Sequence, residues 1–268
     1  YLGDWDGFNT SPITSHKTVT VSPAWSKNGE MVAYTAFVKR RSGGLLKRNP
    51  DLFIYELKSK RRWLVSYRDG LNSGAEFLPD NKNILLTLSN NKRADIYKMT
   101  VDGKSIEPIT NGPGQAMNVE PAISPDGHTI AFSSDRSGKP MVYTMDISGA
   151  NVKRRTFAGY YNSTPTWSPD GKKIAFAGFD NDKGNFDIFI MSLDGSELLR
   201  LSSARKTNGK WSNNEDPAFA PDNRHILFVS DRSGNKQLYM VNTDGTNERR
   251  ITFDNKQYSK PKWGPLVE

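Results

Sequence analysis

Pro165-Thr166-Trp167-Ser168-Pro169-Asp170-Gly171, with the apolar run Ile174-Ala175-Phe176 just behind it, decides the fold, because the chain contains it more than once. Pro121-Ala122-Ile123-Ser124-Pro125-Asp126-Gly127 and Pro217-Ala218-Phe219-Ala220-Pro221-Asp222-Asn223 are close copies. Pro23-Ala24-Trp25-Ser26-Lys27-Asn28-Gly29 and Phe77-Leu78-Pro79-Asp80-Asn81 are looser ones, and Pro261-Lys262-Trp263-Gly264-Pro265 is a cut-off sixth. Anchored on the second-proline position, the copies stand at 27, 79, 125, 169, 221 and 265, which are 52, 46, 44, 52 and 44 residues apart. Internal periods of this size mark a propeller, a solenoid or another array.

Working outward from the anchor, each repeat holds the same parts in the same order. A strand ends in the quoted phrase, and Asp with Gly or Asn supplies the turn. An apolar second strand follows, such as Ile84-Leu85-Leu86, Ile130-Ala131-Phe132 or Ile226-Leu227-Phe228. A polar turn then leads to an alternating third strand, such as Asp95-Ile96-Tyr97, Met141-Val142-Tyr143 or Asp187-Ile188-Phe189. Asp102-Gly103, Ser148-Gly149, Asp194-Gly195 and Asp244-Gly245 read as tight hairpins into a short fourth strand. Four antiparallel strands in ~45 residues describe a propeller blade. No stretch shows helical periodicity. The expectation is an all-β, six-bladed propeller over residues 1–268 as one domain. Tyr1-Leu2-Gly3-Asp4-Trp5-Asp6-Gly7 reads as a third strand with its turn and Asn9 to Thr14 as a fourth, so strands from both ends would close the ring. The second strand of that sixth blade appears nowhere, and Tyr1-Leu2-Gly3-Asp4 is not a signal peptide. The chain therefore reads as cut from a longer precursor.

The 37 Lys and Arg against 29 Asp and Glu give a formal net charge of +8. A basic balance suits nucleic acid, an anionic membrane surface or an acidic protein. The cations are scattered except around Ser42-Gly43-Gly44, where Lys39-Arg40-Arg41 and Lys47-Arg48 read as a solvated loop or a contact patch. Nothing resembling a recognition helix or stacking platform accompanies them, so nucleic acid is not expected. No cysteine is present, which excludes disulfides and thiolate-ligated metals. No apolar run approaches the ~18 residues of a membrane helix.

With Asp4-Trp5-Asp6-Gly7-Phe8-Asn9, Ser22-Pro23-Ala24-Trp25-Ser26, the Ser-Asp-Arg-Ser-Gly turns at 134–138 and 230–234, and Pro261-Lys262-Trp263-Gly264-Pro265-Leu266, the chain resembles the TolB family of the Tol-Pal system over essentially its whole length. It departs from the pattern at Lys27-Asn28-Gly29, at Glu76 and Leu78, and in an insertion from Val38 to Asn49. The resemblance implies a non-enzymatic, periplasmic binding scaffold that supports outer-membrane integrity and constriction at division. The implied partner is Pal, the peptidoglycan-associated lipoprotein, with other Tol proteins or bacteriocin segments as further candidates. It also implies an N-terminal domain, expected to precede Tyr1 in the longer precursor. A monomer is the default.

The positions placed just before each first strand are Ser22, Gly74, Glu120, Thr164, Asp216 and Lys260. Loops on that face surround the channel mouth, and loops on rigid scaffolds carry binding residues. The candidate partner-binding set is Asn72, Gly74, Asn118, Val119, Glu120, Tyr160, Tyr161, Asn162, Asn214, Glu215, Asp216 and Tyr258, in which tyrosines would anchor a protein or peptide. Within the resemblance, Asn118-Val119-Glu120-Pro121 and Asn72-Ser73-Gly74-Ala75 match stretches that contact Pal. No catalytic residue, metal site or cofactor is assigned. Glu120, Glu215 and Asp216 could hold an incidental calcium ion at the mouth, since hard cations take oxygen ligands. Asp180-Asn181-Asp182-Lys183-Gly184 is half a calcium loop without its distal Glu. His16, His128 and His225 read as surface residues, and the repeated Asp135-Arg136 and Asp231-Arg232 as local turn caps and pairs. No nucleophile elbow, zinc helix or phosphate loop occurs. Three alternatives stay open: a calcium-dependent hydrolase or lactonase on a propeller, a substrate-gating propeller detached from a peptidase, and a propeller of this type serving a different partner.

Overall fold

A computed structural model describes residues 1–14, 18–42, 44–90, 93–111 and 116–265. His16, Gly43 and Leu266, which the sequence reading used, lie outside the described residues. Blade one is β1 (Thr20–Trp25), β2 (Met31–Ser42), β3 (Leu45–Glu56) and β4 (Arg62–Ser66). Blade two is β5 (Asn72–Phe77), β6 (Asn83–Asn90), β7 (Arg93–Thr100) and β8 (Ile106–Pro108). Blade three is β9 (Asn118–Ile123), β10 (Thr129–Ser134), β11 (Met141–Asp146) and β12 (Lys153–Arg154). Blade four is β13 (Asn162–Trp167), β14 (Lys173–Asp180), β15 (Asn185–Ser192) and β16 (Leu198–Arg200). Blade five is β17 (Asn214–Phe219), β18 (His225–Ser233), β19 (Asn235–Asn242) and β20 (Arg249–Arg250). Each blade is an antiparallel meander in sequence order.

The quoted phrase builds its turn from its own side chains. In blade four, Ser168 Oγ accepts from Lys173 N at 2.8 Å and donates to Asp170 Oδ1 at 2.6 Å, and Asp170 Oδ1 also accepts from Lys172 N. The third residue of the phrase faces the preceding blade, where Trp167 Nε1 donates to Ala122 O at 3.0 Å. The Gly position carries φ of +76° at Gly127 and +70° at Gly171, and asparagine replaces glycine there with φ of +54° at Asn81 and +61° at Asn223.

The core lies between blades rather than inside any one. Ala24, Leu52 and Ile54 of blade one meet Phe77, Ile84 and Leu86 of blade two in a single buried cluster. Leu85 and Ile96 meet Ile123, Ile130 and Phe132 in the next. Ala122, Ala131 and Val142 meet Trp167, Ile174 and Phe176, and Ala175 and Ile188 meet Phe219, Ile226 and Phe228. A single four-stranded sheet has two apolar faces to cover, and stacking on a neighbour covers them.

The six-bladed expectation is corrected here: the described residues form five four-stranded sheets, not six. The strands expected at the two ends do not close the ring. Leu2 and Ser11 share one isolated antiparallel bridge, and Pro261 to Pro265 pairs with no strand among the described residues. The reason is the middle strand, since no described residue supplies a partner between the inner phrase and the outer hairpin. The C-terminal stretch instead passes between blades five and one by side-chain packing. Trp263 joins the cluster of Ala218, Leu227, Met240 and Ile251, and Gly264 lies against the Trp25 indole.

Candidate functional site

The inner strands β1, β5, β9, β13 and β17 all break register at the same place, between Val21 and Ala24, Ser73 and Glu76, Val119 and Ala122, Ser163 and Thr166, and Glu215 and Ala218. At each break one residue adopts the left-handed backbone: Ser22, Gly74, Glu120, Thr164 and Asp216, with φ between +51° and +64°. Lys260 does the same at +46° in the terminal stretch. The positions that the sequence reading put just before each first strand thus lie inside it, at a bulge. A bulge re-aims a side chain, and such bulges gather next to active sites and rims. Only Gly74 is a glycine. The other five accept a conformation that costs L-residues roughly 1–2 kcal/mol.

These residues and the prolines that follow most of them line one cavity of ≈ 60 Å³ at the mouth of the channel. That volume admits a few waters or one side-chain tip, so a larger ligand must lie across the mouth. Lys260 Nζ reaches Glu120 Oε1 at 2.9 Å, while Lys260 N donates to Asp216 Oδ2 at 2.9 Å. Glu120 Oε2 accepts from Thr164 N at 2.9 Å and from Ser133 Oγ at 3.3 Å. Thr164 Oγ1 is buried without a hydrogen-bond partner among the described residues. Lower in the wall, Glu76 holds Lys27 Nζ at 2.9 Å and Lys262 Nζ at 3.7 Å.

Burial pushes the Asp216 carboxyl above its usual range against the pull of Lys260. Burial would lower Lys260, but Glu120 and Asp216 outweigh it and raise the ammonium above its ordinary value. Partial burial, with help from Glu120, raises the Tyr161 phenol, although the residue is 42% exposed. Glu76 goes the other way, because Lys27 and Lys262 together overcome its desolvation and lower it. Lys260 therefore already supplies the positive charge between the mouth carboxylates. A calcium ion at Glu120 and Asp216 would have to displace that ammonium. The described residues contain no cluster of three or more His, Asp or Glu side chains placed to hold a metal. In the half calcium loop, Asp180 Oδ2 pairs with Arg200 and Asp180 Oδ1 caps the backbone of Asp182 and Lys183.

The candidate residues separate into three groups. Gly74, Glu120 and Asp216 line the mouth, and Val119 and Glu215 flank them half-buried, with Glu215 paired to Lys236 at 2.6 Å. Tyr160 and Tyr161 stand exposed on the same face, Tyr160 under Lys139 and Tyr161 edge-on to Phe186. Tyr258 donates to Asp254 at 3.0 Å, and burial with that carboxylate pushes its phenol up to about 12. Asn72, Asn118, Asn162 and Asn214 are buried. They act as struts between blades: Asn118 Nδ2 donates to Asp95 and Asn214 Nδ2 to Asp187, each at 2.9 Å, while Arg136 and Arg232 donate back to their carbonyls. The repeated Arg is also stacked, Arg136 over Phe132 and Tyr143, and Arg232 over Phe228 and Tyr239. His128 lies in the turn after β9 and His225 opens β18, with His225 Nδ1 against Asp222 at 2.5 Å. The sequence reading missed the Lys27–Glu76–Lys262 group and the Glu120–Lys260 bridge. The repeat positions of Glu76 and Glu120 were the available signal, but their lysine partners stand 49 or more residues away in sequence.

The TolB beta propeller domain matches residues 1–209 and 179–267. The Tol-Pal system protein TolB of Bordetella pertussis is 31% identical over 267 residues, covering 99% of this chain and 57% of its own length. That of Francisella tularensis subsp. mediasiatica is 27% identical over 273 residues, covering 98% of this chain and 59% of its own length. The crystal structure of TolB from Acinetobacter baumannii superposes with a TM-score of 0.81 at 26% identity, covering 98% of this chain and 62% of that one. The chain thus spans about three fifths of the length of these relatives.

Proposed function

Because the chain belongs to the TolB β-propeller family, we propose that it is a binding scaffold without catalytic activity, whose channel mouth receives a segment of a partner protein. The relatives carry the name of the Tol-Pal system, so the partner proposed is Pal, the peptidoglycan-associated lipoprotein, acting with this chain in the periplasm to maintain the outer membrane and its constriction at division. The observation that carries the reading is the convergence of left-handed residues on one mouth. Backbone strain, an orphaned Thr164 hydroxyl and a half-buried ion pair across Glu120 and Lys260 are concentrated where five inner strands meet. Strain and unsatisfied polar groups persist where surrounding structure holds them, and they cluster at binding sites.

The mouth offers what a peptide needs. The walls are prolines, the floor holds one cation between carboxylates, and Tyr160 and Tyr161 stand beside it as exposed anchors. Co-purification of the tagged chain with Pal of the same organism tests the reading. Stable capture supports it. Absence of capture, with a cooperatively folded chain, assigns the mouth to another partner.

A further inference from the structure

β2 and β3 are each 12 residues long, twice the length of β1. β1 accompanies β2 only as far as Ala36, with Val19 O accepting from Phe37 N, so among the described residues Val38–Ser42 and Leu45–Asn49 pair only with each other. They form a two-stranded finger that stands clear of the blade by about 15 Å at the usual rise per strand residue. At its base Asn49 holds Gly70 N and Arg68 O, on the segment leading into β5, so the finger rises from the same face as the mouth.

Its charges are arranged against its own stability. Lys39 faces Arg48, and Arg40 faces Lys47, on consecutive rungs. Like charges directly opposite each other destabilise a sheet. Arg40 reaches Asp51 and Asp69, and it is the only one of the finger's five cations with an ion-pair partner among the described residues. Lys39, Arg41, Lys47 and Arg48 are exposed. Beyond them, next to the tip, Leu45 and Leu46 are 64% and 65% exposed. Two solvent-facing leucines at 64% and 65% exposure serve neither packing nor solubility.

We propose that this finger is a membrane-surface anchor, with Leu45 and Leu46 entering the headgroup–acyl boundary of an anionic bilayer and Lys39, Arg41, Lys47 and Arg48 contacting the lipid phosphates. An acidic protein would account for the cations but leaves the leucines without a purpose, whereas an anionic bilayer uses both. The proposal goes beyond the mouth reading and stands without it. It would hold the mouth face toward a lipid surface.

Flotation with vesicles of phosphatidylcholine plus phosphatidylglycerol, against phosphatidylcholine alone, tests it. The chain should bind the anionic vesicles, and added salt should weaken binding. Each of Lys39→Gln, Arg41→Gln, Lys47→Gln and Arg48→Gln should weaken it about fivefold, and the double variant Leu45→Ser with Leu46→Ser should also release the chain. Lys39→Glu is the discriminating variant. It turns the Lys39–Arg48 pair into an attraction, so thermal stability should hold or rise while vesicle binding falls. Failure to bind anionic vesicles overturns the proposal, as does binding indifferent to the two leucines. Tight association with poly-glutamate and none with vesicles would overturn it in favour of an acidic protein.

Discussion

Thr164 shows how the site departs from ordinary stability at the scale of one residue. It is β-branched, sits at a φ of +51°, and buries a hydroxyl that has no partner among the described residues. Glycine would adopt that backbone freely and remove the orphaned oxygen. Thr164→Gly should therefore raise unfolding stability by about 1 kcal/mol, the left-handed strain relieved less the extra entropy glycine gives the unfolded chain; a loss in chemical denaturation would show that the side chain packs to more effect than it strains. Glu76 gives the pH counterpart. Its pKa is lowered in the fold, so its contribution is complete above the unfolded value of ~4.3 and disappears as pH falls through the lower folded value. Glu76→Gln should cost stability at neutral pH and nothing at strongly acid pH, as read from melting temperatures across that window. Both residues were partly legible. The repeat register located Thr164 before a proline, and Glu76 stood out as a departure, but neither the left-handed bulge nor the lysines that meet Glu76 leaves a local mark.

Among the elements, the strands were the most legible and the struts the least. Each apolar run of the repeats became a second or third strand, because alternation and turn chemistry are written locally. Asn72, Asn118, Asn162 and Asn214 open the inner strands and were read as part of a binding rim, since asparagine at a strand start suits a surface as readily as a buried network. The structure uses them to tie one blade to the next. Asp187 in particular is fully buried, its carboxyl raised by desolvation and held by Asn214, with Arg200 at 3.5 Å. Asn214→Ala should cost about 1–3 kcal/mol at neutral pH by leaving that carboxylate short of a donor. The loss should shrink as pH falls and Asp187 takes up its proton, since ionisation is the disfavoured state there. Urea unfolding at two pH values measures it, and an equal loss at both would remove Asp187 from the account.

For the whole molecule, the repeat count overestimated the blades. Six copies of the inner phrase are present, yet the described residues form five four-stranded sheets, because a phrase makes a blade only when a second strand is there to pair with it. The sixth copy still places Lys260 at the mouth, and that single residue joins Glu120 and Asp216 from blades three and five. The central claim is that this mouth is the partner-binding surface. Calorimetric titration of Pal from the same organism into the wild-type chain and into Glu120→Ala, with melting curves to confirm that both are folded, tests it most directly. The account predicts saturable binding to the wild type and a loss of tenfold or more in the variant, the ~1.4 kcal/mol or greater that truncating one partner of a half-buried charge pair removes at an interface. Equal affinity for two folded proteins would contradict it and move the binding surface away from the mouth.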